Sequence, residues 1–95
     1  MRIEWVGTSL SDFQQIRLYL RTRNPSAVEK IFNAVSRSAG QLQSFPELGR
    51  PMEGSDIRLL QVHGLPYILP YRVKLDRIEI LAVFDGRQER PAGWY

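Results

Sequence analysis

The chain of 95 residues contains no cysteine, a single histidine and two lysines. Without cysteine there is no disulfide and no thiolate metal site, so core packing must hold the fold together. His63 has no second histidine with which to share a metal, and we expect neither a metal nor a cofactor. The sequence also has no P-loop and no Gly-x-Gly-x-x-Gly motif, which argues against nucleotide hydrolysis.

Long apolar runs are missing as well. No stretch approaches the ~20 consecutive apolar residues that a membrane helix needs, and the segment Met1 to Val6 lacks the apolar run of a signal peptide. We therefore expect a cytoplasmic protein with no membrane partner. Hydrophobic residues make up 43% of the chain and aromatic residues 11%, which excludes intrinsic disorder. The length predicts one domain, residues 1–95.

The positive charge is carried almost wholly by arginine. Lysine and arginine together number 13 against 10 acidic residues, giving a net charge of +3. The guanidinium group binds phosphates and carboxylates at two points, which suits either nucleic acid or an acidic protein partner. A GC-rich genome would produce the same bias without any functional cause. Net +3 is too weak to identify nucleic acid, and charge partly concentrated on the later strands fits an acidic partner at least as well.

The first half of the chain reads as a strand followed by two helices. Residues 2–6 alternate as a short strand does. Ser9 or Ser11 is predicted to cap a helix that reaches residues 22–23, and Ser9 with Asp12 has the spacing of a capping box. Asn24-Pro25 predicts the start of a second helix, whose apolar stripe runs from residue 28 to residue 42. The short link between them predicts an antiparallel helix hairpin.

The second half is predicted to form three antiparallel strands at residues 57–62, 67–73 and 78–84, after a loop at 45–54. The last strand is apolar on both faces and is expected to be central in the sheet. Pro70 cannot donate a hydrogen bond, so we expect a bulge or a one-sided edge there. The predicted fold is α+β: an N-terminal strand, an antiparallel helix hairpin and a three-stranded antiparallel meander. With the helices on one face, the other face would carry the function or meet a partner.

Four arginines of the second half are candidates for anion binding: Arg50, Arg58, Arg72 and Arg87. If Arg58 and Arg72 share a sheet face, they converge beside Tyr67, Tyr71 or the turn after the last strand, and an anion between them would relieve their repulsion. The alternative is ordinary ion pairing, with Arg72 directly across from Glu79 and Arg58 beside Asp56. Trp94 and Tyr95, at the end of the sequence, either pack back onto the sheet or stack on bases or anchor a protein interface.

The order of these motifs resembles the RelE/ParE superfamily of toxins from bacterial type II toxin–antitoxin systems. The resemblance covers nearly the full chain. It rests on the opening strand 3–5, Asn24-Pro25, the loop 45–51, Ile57-Arg58-Leu59-Leu60, Leu65-Pro66-Tyr67-Ile68, Tyr71-Arg72-Val73, Ile78-Glu79-Ile80-Leu81 and Asp85-Gly86-Arg87. It implies a growth-inhibiting toxin held in a toxin–antitoxin hetero-oligomer by a small cognate antitoxin with an acidic or amphipathic tail.

The superfamily has two branches with different targets. RelE-like members cleave mRNA on the ribosome, and ParE-like members inhibit DNA gyrase by binding. Three motifs are closer to the ParE pattern: Gly49-Arg50-Pro51, Pro66-Tyr67-Ile68 and Tyr71-Arg72-Val73. Asp85 stands where many relatives carry histidine. We therefore expect gyrase inhibition without catalysis. If the chain is instead an mRNA endonuclease, the resemblance implies these candidate catalytic residues: Arg58, Tyr71, Arg72 and Arg87. A third reading is a homologue that retains antitoxin binding but not toxicity.

The antitoxin is expected to contact two regions. The first is the exposed side of the helix hairpin, through Arg17, Leu18, Tyr19 and Arg21. The second is the sheet edge and groove that hold Arg50, Arg58 and Arg72. Apolar antitoxin side chains would need a hydrophobic groove, which Leu18 and Tyr19 could line.

Overall fold

The computed structural model describes residues 1–88 of the chain. In it two helices pack against one face of a six-stranded sheet. Within residues 1–88, neither helix is long and apolar enough to cross a membrane. The elements in chain order are β1 Arg2–Trp5, α1 Ser9–Arg23, α2 Pro25–Gln41, β2 Arg50–Pro51, β3 Ile57–Gln61, β4 Tyr67–Val73, β5 Arg77–Ile80 and β6 Phe84–Asp85.

The strand order is β1-β5-β4-β3-β2, and β6 also pairs with β4. β3, β4 and β5 form the predicted antiparallel meander, and the short β2 adds to its outer edge. β1 pairs with β5 in parallel, so the predicted N-terminal strand joins the antiparallel meander at one edge as a parallel strand. A parallel pair needs a long connection, which the helix hairpin and most of the meander provide. β5 lies between β1 and β4, so the first part of the predicted last strand is internal to the sheet, whereas β4 is its central strand.

The predicted strand 78–84 is divided into β5 and β6. Between them the N–H of Leu81 donates to the carbonyl oxygen of Pro70 at 2.8 Å. The nitrogen of Pro70 lies on the same side of β4 as its carbonyl, and it has no hydrogen to return the bond. The ladder is therefore interrupted beside Pro70, and residues 81–83 leave it. Pro70 does disturb the sheet as expected, but the break lies in the neighbouring strand.

Both helices lie close to their predicted positions, although the predicted capping box of α1 is wrong. Ser9 is buried, and its hydroxyl donates to the carbonyl of Val6 at 2.7 Å. The carboxylate of Asp12 accepts from the hydroxyl of Thr8 at 2.9 Å and from the N–H of Val83 at 3.0 Å. Asp12 thus joins the first turn of α1 to the segment between β5 and β6.

The main core lies between α2 and the sheet. It contains Val35, Ala39 and Leu42 from the helix, packed against inward-facing residues of β3, β4 and β5. A second, smaller cluster of Leu59, Ile68 and Phe84 is separate from it. Phe32 belongs to the predicted apolar stripe of α2 but is 55% exposed, so the stripe is wider than the core requires.

Candidate functional site

An open apolar groove of about 650 Å³ lies between the two helices beside β1. We call it the hairpin groove, lined mainly by Trp5, Leu10, Phe13, Arg17, Val28 and Phe32. The Phe13 ring packs edge-to-face on Trp5 and on Phe32, with centroid distances of 6.5 Å and 5.7 Å. Such contacts fix the rings in place. The groove is therefore a formed apolar surface of the kind that binds an amphipathic helix.

α1 is largely uncovered by the rest of the protein. Its only buried residue is Ser9, and both Leu18 and Tyr19 are 60% exposed. Tyr19 lies in a smaller cleft with Tyr67, away from the groove that Arg17 lines, and the Arg23 guanidinium sits 4.1 Å from its ring centroid. The side chains expected to form one antitoxin contact thus lie on different sides of α1.

The net charge of the helix hairpin equals that of the whole chain. Residues 9–41 contain five basic residues and two acidic ones, a difference of +3 that equals the net charge of the whole chain. In residues 42–95 the seven basic residues are balanced by seven acidic ones. The later strands at residues 57–84 also carry a net +2, but the acidic loop before them offsets it. Of the charged residues of the hairpin, Arg17 and Glu29 line the apolar groove.

Tyr71 and Arg58 hold the loop before β2. The buried hydroxyl of Tyr71 donates to the carbonyl of Pro46 at 2.7 Å and accepts from the N–H of Gly49 at 2.9 Å. The Arg58 guanidinium donates to the carbonyls of Gly49 at 2.8 Å and Glu47 at 3.3 Å. Burial raises the pKa of Tyr71 above its ordinary value. Both candidate catalytic side chains are thus engaged in holding backbone.

Arg72 lies on the other face of the sheet. Arg58 pairs with Tyr71 across the β3–β4 ladder, whereas Arg72 pairs with Ile57, so the two arginines point to opposite faces. The expected convergence of Arg58 and Arg72 is therefore wrong. Arg72 stands opposite Glu79, as the alternative reading predicted. Its guanidinium is 3.2 Å from the Asp56 carboxylate and 4.0 Å from that of Glu79.

The ion pairs of Arg72 continue across β5 and β1 as a charged ladder on this face. Its members are Arg2, Glu4, Asp56, Arg72, Asp76, Arg77 and Glu79. Like charges stand opposite each other on β1 and β5, and Arg77 compensates by reaching Glu4 at 3.5 Å and Glu79 at 3.1 Å. A hydrogen bond from Arg77 lowers the pKa of Asp76. The arginines of the charged ladder are thus paired with carboxylates of the same ladder, at a solvent-exposed face of the sheet.

Arg87 is held by Asp85 at the other end of β4. Its guanidinium donates to both carboxylate oxygens, at 3.2 Å and 2.9 Å, and this hydrogen bonding lowers the pKa of Asp85. Asp85 stands opposite Tyr67, and burial, followed by the Asp85 charge, raises the pKa of Tyr67. Arg72 lies five residues beyond Tyr67 in β4, which places it about 17 Å from the end of the strand where Asp85 and Arg87 lie. The four candidate catalytic residues therefore do not meet at one point.

Comparison with known proteins decides the family. The family model described as "ParE toxin of type II toxin-antitoxin system, parDE" matches residues 3–90. The chain belongs to the ParE toxin family. Y4kP, a candidate toxin of Sinorhizobium fredii (strain NBRC 101917 / NGR234), is 31% identical over 90 residues, which cover 95% of this chain and 93% of Y4kP.

A solved structure supports the same assignment. It is described as the chromosomal ParDE TA system from P. aeruginosa, and it matches with a TM-score of 0.77 and 25% identity. The match covers 90% of this chain and 95% of that one. The RelE/ParE-like fold and the toxin–antitoxin resemblance are thereby confirmed.

The main feature of this ParE-family chain that the sequence pattern missed is the hairpin groove. Leu10 and Phe32 both occupy helical positions that read as core, yet 62% and 55% of their surfaces are exposed. The sequence feature that could have indicated the groove is the adjacent pair Ile31 and Phe32 in α2. A helix packed on one surface buries only one stripe, so one of two adjacent large apolar residues is left exposed. Trp94 and Tyr95 lie outside the described residues.

Proposed function

We propose that this ParE-family toxin inhibits DNA gyrase by binding it and breaks no bond itself. The observation that carries the proposal is the dispersal of the candidate catalytic side chains. Arg58 and Tyr71 hold a loop, Arg72 lies on the opposite face, and Arg87 is paired with Asp85. Each is already occupied by a partner within the protein.

An RNase of this size needs a base near the attacking hydroxyl and cations around one phosphate. The Tyr71 hydroxyl is buried and makes two hydrogen bonds, and burial raises its pKa, so it is a poor base. The Asp85 carboxylate is bound by Arg87, which stabilises its charged form and weakens it as a proton acceptor. These contacts support inhibition by binding, in the cytoplasm where gyrase acts.

We further propose that a cognate antitoxin neutralises the toxin by placing an acidic amphipathic helix in the hairpin groove. Exposed Leu10 and Phe32 supply apolar contacts, and the net +3 of the hairpin attracts acidic residues. Arg17 lines the groove, and Arg21, Leu18 and Tyr19 lie on the same exposed helix. The second proposed antitoxin region is the sheet edge with Arg50, Arg58 and Arg72, and because Arg72 lies on the opposite face from Arg58, the antitoxin would have to wrap around this edge to contact both. Of these three, Arg50 alone has no side-chain hydrogen bond or ion pair within residues 1–88.

A plasmid assay tests the mechanism. Purified toxin is added to gyrase and supercoiled plasmid, and we expect cleaved DNA–gyrase complexes that disappear when antitoxin is added first. The matched reaction without gyrase should leave the plasmid intact. Codon-specific mRNA cuts in a translating extract, lost in Arg72→Ala, would instead establish the endonuclease alternative. Unchanged growth on expression without antitoxin would show that toxicity has been lost.

A further inference from the structure

A second concave surface, separate from the hairpin groove, gathers basic side chains from three elements. It has a volume of about 700 Å³ and lies where β2, the turn between β3 and β4, and the turn after β6 meet. Its polar lining is Arg50, His63 and Arg87 together with Gln41 and Gln61. Glycine, proline and leucine or isoleucine residues complete the lining; of these Leu59, Leu60 and Ile68 are buried and Leu48 is half exposed. We call this surface the basic concavity. No aspartate or glutamate of residues 1–88 lines it, and it shares no lining residue with the hairpin groove.

The two arginines of the basic concavity are available to a ligand in different ways. Arg50 is exposed and has no side-chain hydrogen bond to any other residue in the described range. Arg87 is fixed by Asp85, but its side chain is 76% exposed while that of Asp85 is 14% exposed. Asp85 offsets one charge, so the site carries a small local excess rather than a strong field. Because Asp85 holds the guanidinium of Arg87 in place before a ligand arrives, less conformational entropy is lost on binding.

We propose that the basic concavity contacts the phosphate backbone of double-stranded DNA. Arginine forks bind phosphate oxygens at two points, and glutamine side chains add hydrogen bonds. No phenylalanine, tyrosine or tryptophan of residues 1–88 lines the surface, so it lacks the stacking platform by which proteins bind unpaired bases. An acidic peptide finds the larger net charge on the hairpin, and its contact with Arg50 is one outcome of the test below. The phosphate backbone of duplex DNA, unlike unpaired bases, can be bound by the arginine and glutamine side chains of this surface without aromatic stacking.

This inference goes beyond the proposed gyrase inhibition and does not depend on it. The two surfaces share no lining residue, so a helix confined to the hairpin groove leaves the basic concavity open, whereas an antitoxin that also reaches the second proposed region would compete with DNA for Arg50. Two arginine–phosphate contacts predict weak, sequence-independent binding, with a dissociation constant of about 10⁻⁴–10⁻⁶ M. They also predict a slope of log K against log[salt] of about −2.

Fluorescence anisotropy with a labelled mixed-sequence duplex of about 20 base pairs, titrated with toxin between about 50 and 200 mM NaCl, tests the proposal. We expect Arg50→Gln/Arg87→Gln to weaken binding at least about tenfold and to remove most of the salt dependence. The matched control is Lys30→Gln/Arg37→Gln, which removes the same charge from the hairpin. It should change the affinity less than about threefold, and equal losses in both variants would overturn the proposal.

Two further measurements keep the result decisive. Arg50→Gln alone breaks no ion pair, so if the double variant loses its circular dichroism signal, the single variant should still weaken binding and reduce the slope by about 1. Unchanged binding by Arg50→Gln would contradict the proposal. Tighter binding of single-stranded RNA of equal length, lost in the same variant, would make the concavity an RNA contact. If Arg50→Gln lost antitoxin binding but kept DNA binding, the basic concavity would be an antitoxin contact and the proposal would be overturned. If the toxin has no effect in the gyrase assay but binds duplex DNA through Arg50 and Arg87 as described, only the gyrase mechanism is refuted.

Discussion

Gly49 shows how a single position constrains the loop before β2. A Cβ atom built there would lie 2.6 Å from the Tyr71 ring and 3.0 Å from the backbone of Leu59. Since Tyr71 is fully buried, its ring cannot move aside cheaply. Glycine at this point of the Gly-Arg-Pro motif thus allows the close approach that the Tyr71 hydroxyl requires for its two hydrogen bonds.

We predict that Gly49→Ala lowers the free energy of unfolding by about 2 kcal/mol, because the added methyl group overpacks the contact with Tyr71. Urea denaturation followed by circular dichroism measures the change. Gly40→Ala is the control: no heavy atom lies within 4 Å of its Cβ position, and alanine in α2 should raise stability by about 0.5–1 kcal/mol. Equal stability of Gly49→Ala and the wild type would show that the loop is not held as described.

Asp85 predicts a specific pH dependence. Its pKa in the folded protein is lowered, chiefly by the hydrogen bonds from Arg87, so its contribution to stability is complete above its unfolded pKa of about 3.9. The contribution is lost as the pH falls through the lower folded value. We expect Asp85→Asn to be less stable than the wild type at pH 7 and the difference to shrink as the pH falls from about 5 towards 2.

Urea denaturation of the two proteins across this pH range gives the comparison. Asp76→Asn serves as the reference, because the pKa of Asp76 is also lowered by an arginine but its side chain is 57% exposed. Its effect at pH 7 should be smaller, since solvent screens exposed pairs. A constant difference between Asp85→Asn and the wild type at all pH values would disagree with the Arg87–Asp85 assignment.

At the scale of elements, local sequence signals located most of the fold. The Asn24-Pro25 signal and the apolar stripe marked α2, and alternation marked β1, β3 and β4, because these depend on residues near in sequence. The parallel pairing of β1 with β5 could not be read locally, since it joins segments more than seventy residues apart. The interruption beside Pro70 depends equally on a neighbouring strand, although proline itself was a clear warning.

The faces of the strands explain why the candidate site was only partly predictable. Alternation gives the relative facing of Arg58 and Arg72 only if their cross-strand register is known. The observed register pairs Arg58 with Tyr71, which separates the two arginines, and only the Arg72–Glu79 pairing followed from the turn length. The exposure of Leu10 and Phe32 depends on how far α1 and α2 cover each other, which no single-helix pattern contains.

The hairpin groove gives the prediction for this scale. Leu10→Ser/Phe32→Ser should weaken binding of the cognate antitoxin at least about tenfold, because apolar burial contributes about 25 cal/mol per Å². The unfolding free energy of the toxin should change little, as both side chains are more than half exposed. Isothermal titration calorimetry measures the affinity. Leu75→Ser, in the fully exposed turn before β5, is the matched control and should bind as the wild type does.

For the molecule as a whole, the distribution of charge matters more than its sum. The sheet and loops are neutral overall, and the arginines of the charged ladder are paired with carboxylates. The hairpin carries an excess of +3, and the segment that follows it, residues 42–56, has three acidic residues against one basic residue. Counting charge segment by segment would have located this excess from the sequence alone, whereas the position of the hairpin groove required the packing of the two helices.

The net charge of the helix hairpin should act mainly on the rate at which an acidic partner arrives. Rim charges steer the encounter and are screened by salt, whereas buried apolar contacts determine how long the complex lasts. Arg21 is exposed on α1 and makes no ion pair within residues 1–88. We predict that Arg21→Gln slows antitoxin association about two- to threefold at low salt and leaves the dissociation rate nearly unchanged. Stopped-flow fluorescence measures both rates.

Lys74→Gln, which removes one charge from the β4–β5 turn, supplies the comparison for Arg21→Gln. It should slow association much less, because Lys74 belongs to the electrically balanced part of the chain. The difference between the two variants should fade above about 0.5 M NaCl, where the Debye length is only a few ångströms. If both variants slowed association equally, the total charge would control the encounter. If Arg21→Gln changed only dissociation, Arg21 would be a buried contact of the complex and not a steering charge on its rim.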